Sequence, residues 1–67
     1  RMLMYIMKLQ DVIKVTALSR STIYKLMSDG SFPRQVSLGY RSVGWVSTEI
    51  DEWIMECIEA RDTAVAV

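Results

Sequence analysis

Histidine is absent from this sequence of 67 residues, and cysteine and proline each occur only once. Without histidine, the chain lacks the side chain that most often acts as a general base near neutral pH and as a metal ligand. The single cysteine, Cys57, excludes an internal disulfide and a zinc site built from several cysteines. A glycine-rich phosphate loop is also missing. We therefore expect no enzyme, metal, cofactor or small-molecule ligand.

Long apolar runs are missing as well. No run reaches the roughly 20 apolar residues of a transmembrane helix, and residues 2–7 are too short and lack a small-residue cleavage site, so neither a membrane partner nor a signal peptide is expected. Apolar residues make up 51% of the chain, enough for one modest core. We expect a single domain over residues 1–67, with an ordered core at about 6–60 and a frayed tail at 63–67. The cysteine usage favours the cytoplasm.

The formal net charge is zero, but the charges are distributed unevenly. Residues 1–46 carry seven lysines and arginines against two carboxylates, whereas residues 47–67 carry one arginine against six carboxylates. Such asymmetry is typical of a chain with one nucleic-acid-binding face. Two ordinary solvated surfaces of opposite sign explain the distribution equally well. Charge alone leaves both interpretations open.

The first half of the chain predicts two short helices joined by a turn. An extended stretch at 5–7 precedes a helix at about 9–15, and residues 16–18 form the turn. Ser19 is a good N-cap for a second helix that runs to about Ser28, and Gly30 is suited to the left-handed position after its end. Two helices with this spacing indicate a helix-turn-helix.

The second half predicts a β-hairpin and an amphipathic helix. Strands at 35–38 and 42–46 flank a tip at 39–41, and alternating apolar residues predict that one hairpin face covers the helices. These alternating residues are Val36, Leu38, Val43 and Trp45. Ser47 or Thr48 is expected to cap the last helix, whose apolar stripe faces the core. The stripe consists of Ile50, Trp53, Ile54, Cys57 and Ile58, which predicts a buried structural thiol at Cys57.

The second helix is the strongest candidate for a binding surface. Its apolar residues Ile23, Leu26 and Met27 share one side, which leaves a polar side without a carboxylate. Hydroxyls and cations are the usual ligands of phosphates, and Arg or Lys also reads guanine in the major groove. An ordinary polar helix surface is the alternative, but the preceding helix and turn favour a DNA-recognition helix. The predicted contact residues are Ser19, Arg20, Ser21, Thr22, Tyr24, Lys25 and Ser28.

The hairpin supplies a second candidate contact. Gly39, Tyr40 and Arg41 place an aromatic ring and a cation at its tip, and Arg34 stands at its base. Such a tip can contact the DNA backbone or enter the minor groove, where the negative potential attracts arginine. The alternative is a turn that needs glycine for its geometry and leaves its arginine solvated.

We expect Trp45 and Trp53 to be core residues.

Several segments resemble the AlpA family of phage regulatory proteins. They are residues 18–26 (LSRSTIYKL), 30–39 (GSFPRQVSLG), 41–45 (RSVGW) and 49–53 (EIDEW). The resemblance covers roughly residues 6–59 and implies a winged helix-turn-helix like the DNA-binding domain of MerR regulators. It places Arg20, Ser21, Tyr24 and Lys25 in the recognition helix, and Arg34 and Arg41 in the wing.

The resemblance also sets expectations for function. Members of the family look like regulators carried by prophages and integrative elements, where some activate an integrase gene and related proteins act as excision factors. The sequence departs from the family at Ala17, where many members have glycine. If this position requires a positive φ, alanine costs about 1 kcal/mol there.

Two functions of different classes follow from these observations. The first is a sequence-specific transcriptional regulator of a prophage or integrative element, controlling integrase expression or excision and associated with the nucleoid. Its partners would be double-stranded DNA, RNA polymerase or an integrase, and further copies of itself on DNA. The second is a protein-interaction adaptor or anti-repressor that uses the acidic last helix, and charge reversal at Glu52, Glu56 and Glu59 would then matter more than Lys25→Ala.

Overall fold

The computed structural model describes residues 3–65, which form three helices and a small antiparallel sheet. The elements in chain order are β1 (Ile6–Met7), α1 (Leu9–Thr16), α2 (Arg20–Ser28), β2 (Val36–Gly39), β3 (Ser42–Val46) and α3 (Ser47–Val65). The predicted mostly helical fold with a β-hairpin is therefore confirmed, with β1 as an additional short strand. Within the described residues, no helix combines the length and hydrophobicity of a bilayer span.

The turn between α1 and α2 is held by local hydrogen bonds. The Thr16 hydroxyl donates to the Val12 carbonyl at 2.7 Å and accepts from the Leu18 N–H at 3.3 Å. Ala17 adopts a left-handed conformation with φ 62°, and its N–H donates to the Ile13 carbonyl at 2.8 Å. The position thus has the positive φ on which the expected cost of alanine depended.

Helix α2 has the predicted ends. The Ser19 side chain accepts a hydrogen bond from the Thr22 N–H at 3.3 Å, as expected of an N-cap. At the other end, Gly30 has φ 77°, and its N–H donates to the Met27 carbonyl at 3.1 Å. Both ends are therefore satisfied within the chain, and the direction in which the helix leaves the turn is fixed.

The sheet has the strand order β1-β3-β2, with both pairs antiparallel. Met7 pairs with Trp45, and Ser37 pairs with Val43. A register shift between Ser37 and Gly39 marks a bulge close to the hairpin tip. This geometry makes β3 the central strand and leaves β1 and β2 at the two edges.

The helices and the sheet share one apolar core. Its buried members are Met7, Val12, Ile23, Phe32, Trp45 and Ile50. The expectation that the hairpin covers the helices holds for Trp45 but is wrong for Val36 and Leu38, which are 39% and 47% exposed. The reason is the strand register: Val36 pairs with Gly44 and the Leu38 side chain lies beside Gly44, so both residues are on the face of the sheet opposite to Trp45.

Helix α3 extends beyond this core. It already begins at Ser47, whose buried hydroxyl accepts from the Tyr5 N–H at 2.9 Å instead of standing outside the helix as a cap. Ile50 is buried, but Cys57 is exposed, so the predicted buried thiol is wrong. The core ends near Trp53 and Ile54, and the helix continues to Val65 through part of the tail predicted to fray. The tail residues 66–67 lie outside the described residues.

Candidate nucleic-acid interface

The polar side of α2 is exposed as the sequence predicts. Ile23 is fully buried and Leu26 and Met27 pack against the core, which turns the opposite side of the helix outward. That side carries no carboxylate, and the positive end of the helix dipole lies at its N-terminus, where it favours an anion. The exposed residues are Arg20, Ser21, Lys25 and Ser28.

Tyr24 connects this surface to the core. Its ring packs edge-on against Trp45, with 6.4 Å between the ring centroids, and the side chain remains 36% exposed. The Arg20 guanidinium carbon lies 5.8 Å from the centre of the tyrosine ring, within the range of a cation–π contact. The fully buried Trp45 thereby orients Tyr24, and Tyr24 restrains Arg20 beside it.

Ser19 and Thr22 have a different position from the other predicted contact residues. The Ser19 hydroxyl lies 2.9 Å from the Thr22 hydroxyl and 3.3 Å from the Ser21 hydroxyl, besides accepting from the Thr22 N–H. Ser19 is therefore used as a cap and Thr22 as its partner. Of this group, Ser21 is the hydroxyl on the exposed side of the first turn.

The wing tip is exposed and conformationally strained. Tyr40 and Arg41 form the two-residue turn between Gly39 and Ser42, with φ values of 48° and 64°. Such a turn favours asparagine and glycine, because a β-carbon is crowded at positive φ. The Tyr40 side chain is fully solvent-exposed. Strain at exposed, non-glycine residues is typical of positions kept for binding.

Two tryptophans fix the loop that connects α2 to the wing. The Trp45 indole N–H donates to the Pro33 carbonyl at 3.1 Å, and the Trp53 indole N–H donates to the Ser31 carbonyl at 2.7 Å. Phe32, which lies between Ser31 and Pro33 in the sequence, packs edge-on against Trp53, with 4.8 Å between the ring centroids. Sequence reasoning identified both tryptophans as core residues but missed this anchoring role, although an indole N–H in a core generally requires an acceptor.

Arg34 differs from the other predicted cations because carboxylates lie around it. It lines a groove together with three carboxylates of α3, Glu49, Glu52 and Glu56. No Arg34 ion pair within 4 Å occurs among the described residues. The contact of Arg34 with DNA stays a prediction. Residues 3–65 contain no group of histidine, cysteine and carboxylate side chains suited to a metal ion.

Comparisons with known proteins identify the family. The model of the prophage CP4-57 regulatory protein (AlpA) family matches residues 5–58. An uncharacterised protein of Enterobacteria phage P4, ORF88, is 42% identical over 82% of this chain and 62% of its own length, so the match spans less than two thirds of that relative. The DNA-binding transcriptional activator AlpA of Escherichia coli K12 is 40% identical over 76% of this chain and 81% of its own length. No solved structure matched significantly. With its three helices, small sheet and exposed hairpin wing, the chain belongs to the AlpA family of prophage regulatory proteins.

Proposed function

We propose that this protein is a sequence-specific, DNA-binding transcriptional regulator of a prophage or integrative element. The observation that carries the proposal is the outward side of α2, which is capped, free of carboxylates and lined by two exposed cations, Arg20 and Lys25. The E. coli relative, a DNA-binding transcriptional activator, supports the same function. We further propose that the regulated step is integrase expression or excision.

The proposed mechanism is placement of two rigidly connected elements on DNA. Helix α2 enters the major groove, where Arg20 and Lys25 contact phosphates or guanine edges. The wing lies on the adjacent backbone, with Tyr40 and Arg41 directed towards the minor groove. The loop anchored by Trp45 and Trp53 holds the two elements in register.

The charge distribution predicts weak binding by one copy. The predicted interface holds four cations, Arg20, Lys25, Arg34 and Arg41, so only a few phosphates are neutralised and the affinity depends on salt. Tight regulation then requires neighbouring sites, self-association or a protein partner such as RNA polymerase or an integrase. We place this activity in the bacterial cytoplasm, on the nucleoid.

A DNA titration at two salt concentrations tests the proposal. Labelled fragments from the protein's own genomic neighbourhood, including promoters and attachment sites, are compared with random DNA. The test variant is Arg20→Ala/Lys25→Ala. The matched control, Lys14→Ala/Arg61→Ala, removes the same charge from outside the predicted interface.

We expect preferential, salt-sensitive binding of one fragment, which identifies whether a promoter or an attachment site is the target. The test variant should lose about a hundredfold in affinity, as expected for two charged contacts with DNA. The control should change much less. Equal losses of affinity in both variants would show that binding depends on overall charge and not on the α2 surface. Absence of binding at low salt would contradict the proposal.

A further inference from the structure

An apolar groove lies on the outward side of α3, beside the N-terminal segment. Its apolar side chains are Leu3 and Met55, which are 83% and 54% exposed. Carboxylates surround them, and among the described residues no cation lines the groove. The four carboxylates are Asp51, Glu52, Glu56 and Glu59. We call this surface the Met55 groove.

None of the four carboxylates of the Met55 groove forms an ion pair within residues 3–65. Over residues 3–65, the ion pair within 4 Å joins Arg61 to Asp62, at 2.8 Å, and does not involve the groove. None of the four carboxylates accepts a hydrogen bond from another side chain in the same part of the chain. Glu52 and Glu56 also line a second groove together with Arg34. Within the described residues, the Met55 groove thus combines exposed apolar area with four carboxylates, none of which forms an ion pair.

The groove and the proposed DNA interface point away from the same core. Ile23 of α2 and Ile50 of α3 are both buried in it, so the polar side of α2 and the acidic side of α3 are different surfaces. DNA is not a suitable occupant of the Met55 groove, since phosphates would meet four carboxylates. An occupant of the groove can therefore be bound while α2 contacts DNA.

The charge of the groove decides between the possible occupants. A second copy related by twofold symmetry would place the same four carboxylates opposite this set, and the two sets would repel. An apolar segment without charge would desolvate carboxylates and return no ion pair. A segment that flanks one apolar side chain with lysine or arginine satisfies both parts of the surface.

We propose that the Met55 groove docks a basic amphipathic segment of another protein while α2 occupies DNA. The inference rests on the proposed function, because it assigns to the DNA-bound regulator the surface that contacts its protein partner. The apolar side chain of the segment packs between Leu3 and Met55, and its cations meet Glu52 and Glu59 at the rim.

Binding of synthetic peptides to the full chain tests the inference. The probe is a labelled helical peptide with one leucine flanked by lysines, and two sister peptides replace the leucine by serine or the lysines by glutamates. The test variants are Met55→Ala and Glu52→Gln/Glu59→Gln. Their controls are Ile58→Ala, which removes an exposed apolar side chain of the same helix, and Asp11→Asn, which removes a carboxylate of α1.

We expect the leucine–lysine peptide to shift the NMR signals of Leu3 and Met55, and both test variants to weaken binding about fivefold or more, as for interface residues that matter energetically. The two control variants should bind the leucine–lysine peptide as tightly as the unmodified chain does. Both sister peptides should bind the unmodified chain more weakly. The inference is overturned if the peptide does not bind, if the serine peptide binds equally well, or if Ile58→Ala weakens binding as much. Self-association of the chain through Met55, measured by sedimentation, would also overturn it.

A DNA titration on the same samples separates this inference from the proposed function. If the unmodified chain shows no specific DNA binding, the proposed function is refuted, even if the peptide binds the groove. Specific DNA binding without peptide binding would refute the groove alone. Met55→Ala and the two controls should leave DNA affinity within about twofold, because their side chains lie outside the proposed DNA interface. Glu52→Gln/Glu59→Gln should not weaken DNA binding, because Glu52 shares a groove with Arg34 and its charge repels phosphates.

Discussion

Helix α2 and the wing tip present the same kinds of side chain to solvent, yet they are held in opposite ways. Helix α2 is capped by Ser19, ended at Gly30 and anchored by the buried Ile23. The wing tip places Tyr40 and Arg41 at positive φ and exposes the edge-strand residues behind them. The helix thus derives its position from stable local structure, whereas the tip keeps its side chains at a cost in stability. This contrast favours binding as the reason for the side chains at the tip.

The largest expected effect is on the free energy of unfolding, and it should differ between an apolar residue of α2 and one of the wing. Ile23→Ala should lower the free energy of unfolding by about 2–5 kcal/mol, because it leaves a cavity in the core. Leu38→Ala on the wing should cost less than about 1 kcal/mol, because nearly half of that side chain is already exposed. Urea denaturation of both variants measures the difference. Similar losses would show that the wing contributes as much to the core as α2.

Relieving the strain at the wing tip should separate stability from binding. Tyr40→Asn/Arg41→Gly should raise the free energy of unfolding by about 1–2 kcal/mol, because both residues then suit the turn. DNA affinity should nevertheless fall about tenfold, since the tip loses its ring and its cation.

Thermal denaturation and DNA titration check both halves of this prediction, with Tyr40→Asn alone as the control that keeps Arg41. A double variant that is more stable and binds DNA undiminished would show that the strain has no role in DNA binding.

The cap of α2 should contribute to stability more than to contact with DNA. Ser19→Ala should lower the free energy of unfolding by about 1 kcal/mol, because the Thr22 N–H loses its acceptor. Ser21→Ala, two residues further along in the exposed first turn, should leave stability within about 0.5 kcal/mol. Urea denaturation compares the pair. A larger loss for Ser21→Ala would contradict the assignment of the cap to Ser19.

The smallest expected effect concerns the turn before α2. Ala17→Gly should raise the free energy of unfolding by up to about 1 kcal/mol, because glycine adopts φ 62° without a β-carbon clash. DNA affinity should not change, since Ala17 lies in the turn and not on the polar side of α2. A loss of stability would mean that the greater freedom of glycine in the unfolded chain outweighs the relief of strain.

The difference between α2 and the wing also explains how far the sequence predicts this structure. The ends of α2 were predictable because capping is a local property of Ser19 and Gly30. The exposure of Cys57 and Leu38 was not, because it depends on where the core ends and on the strand register that decides which face of the sheet Leu38 occupies. Local periodicity does not contain that information.

The candidate site divides along the same line. The carboxylate-free side of α2 follows from helical periodicity, and the family resemblance identified the wing. The carboxylates beside Arg34 and the indole bonds to Ser31 and Pro33 join residues distant in sequence. They became visible only when the elements were placed together.

The central claim is that DNA is bound by α2 and the wing, and not by α3. The most direct measurement is to follow the backbone NMR signals of the labelled protein while its preferred duplex is added at moderate salt. The account predicts that signals of Arg20, Ser21, Lys25 and the wing residues Tyr40 and Arg41 shift, whereas those of Glu52, Glu56 and Glu59 stay in place. Shifts centred on α3, with α2 unchanged, would contradict it.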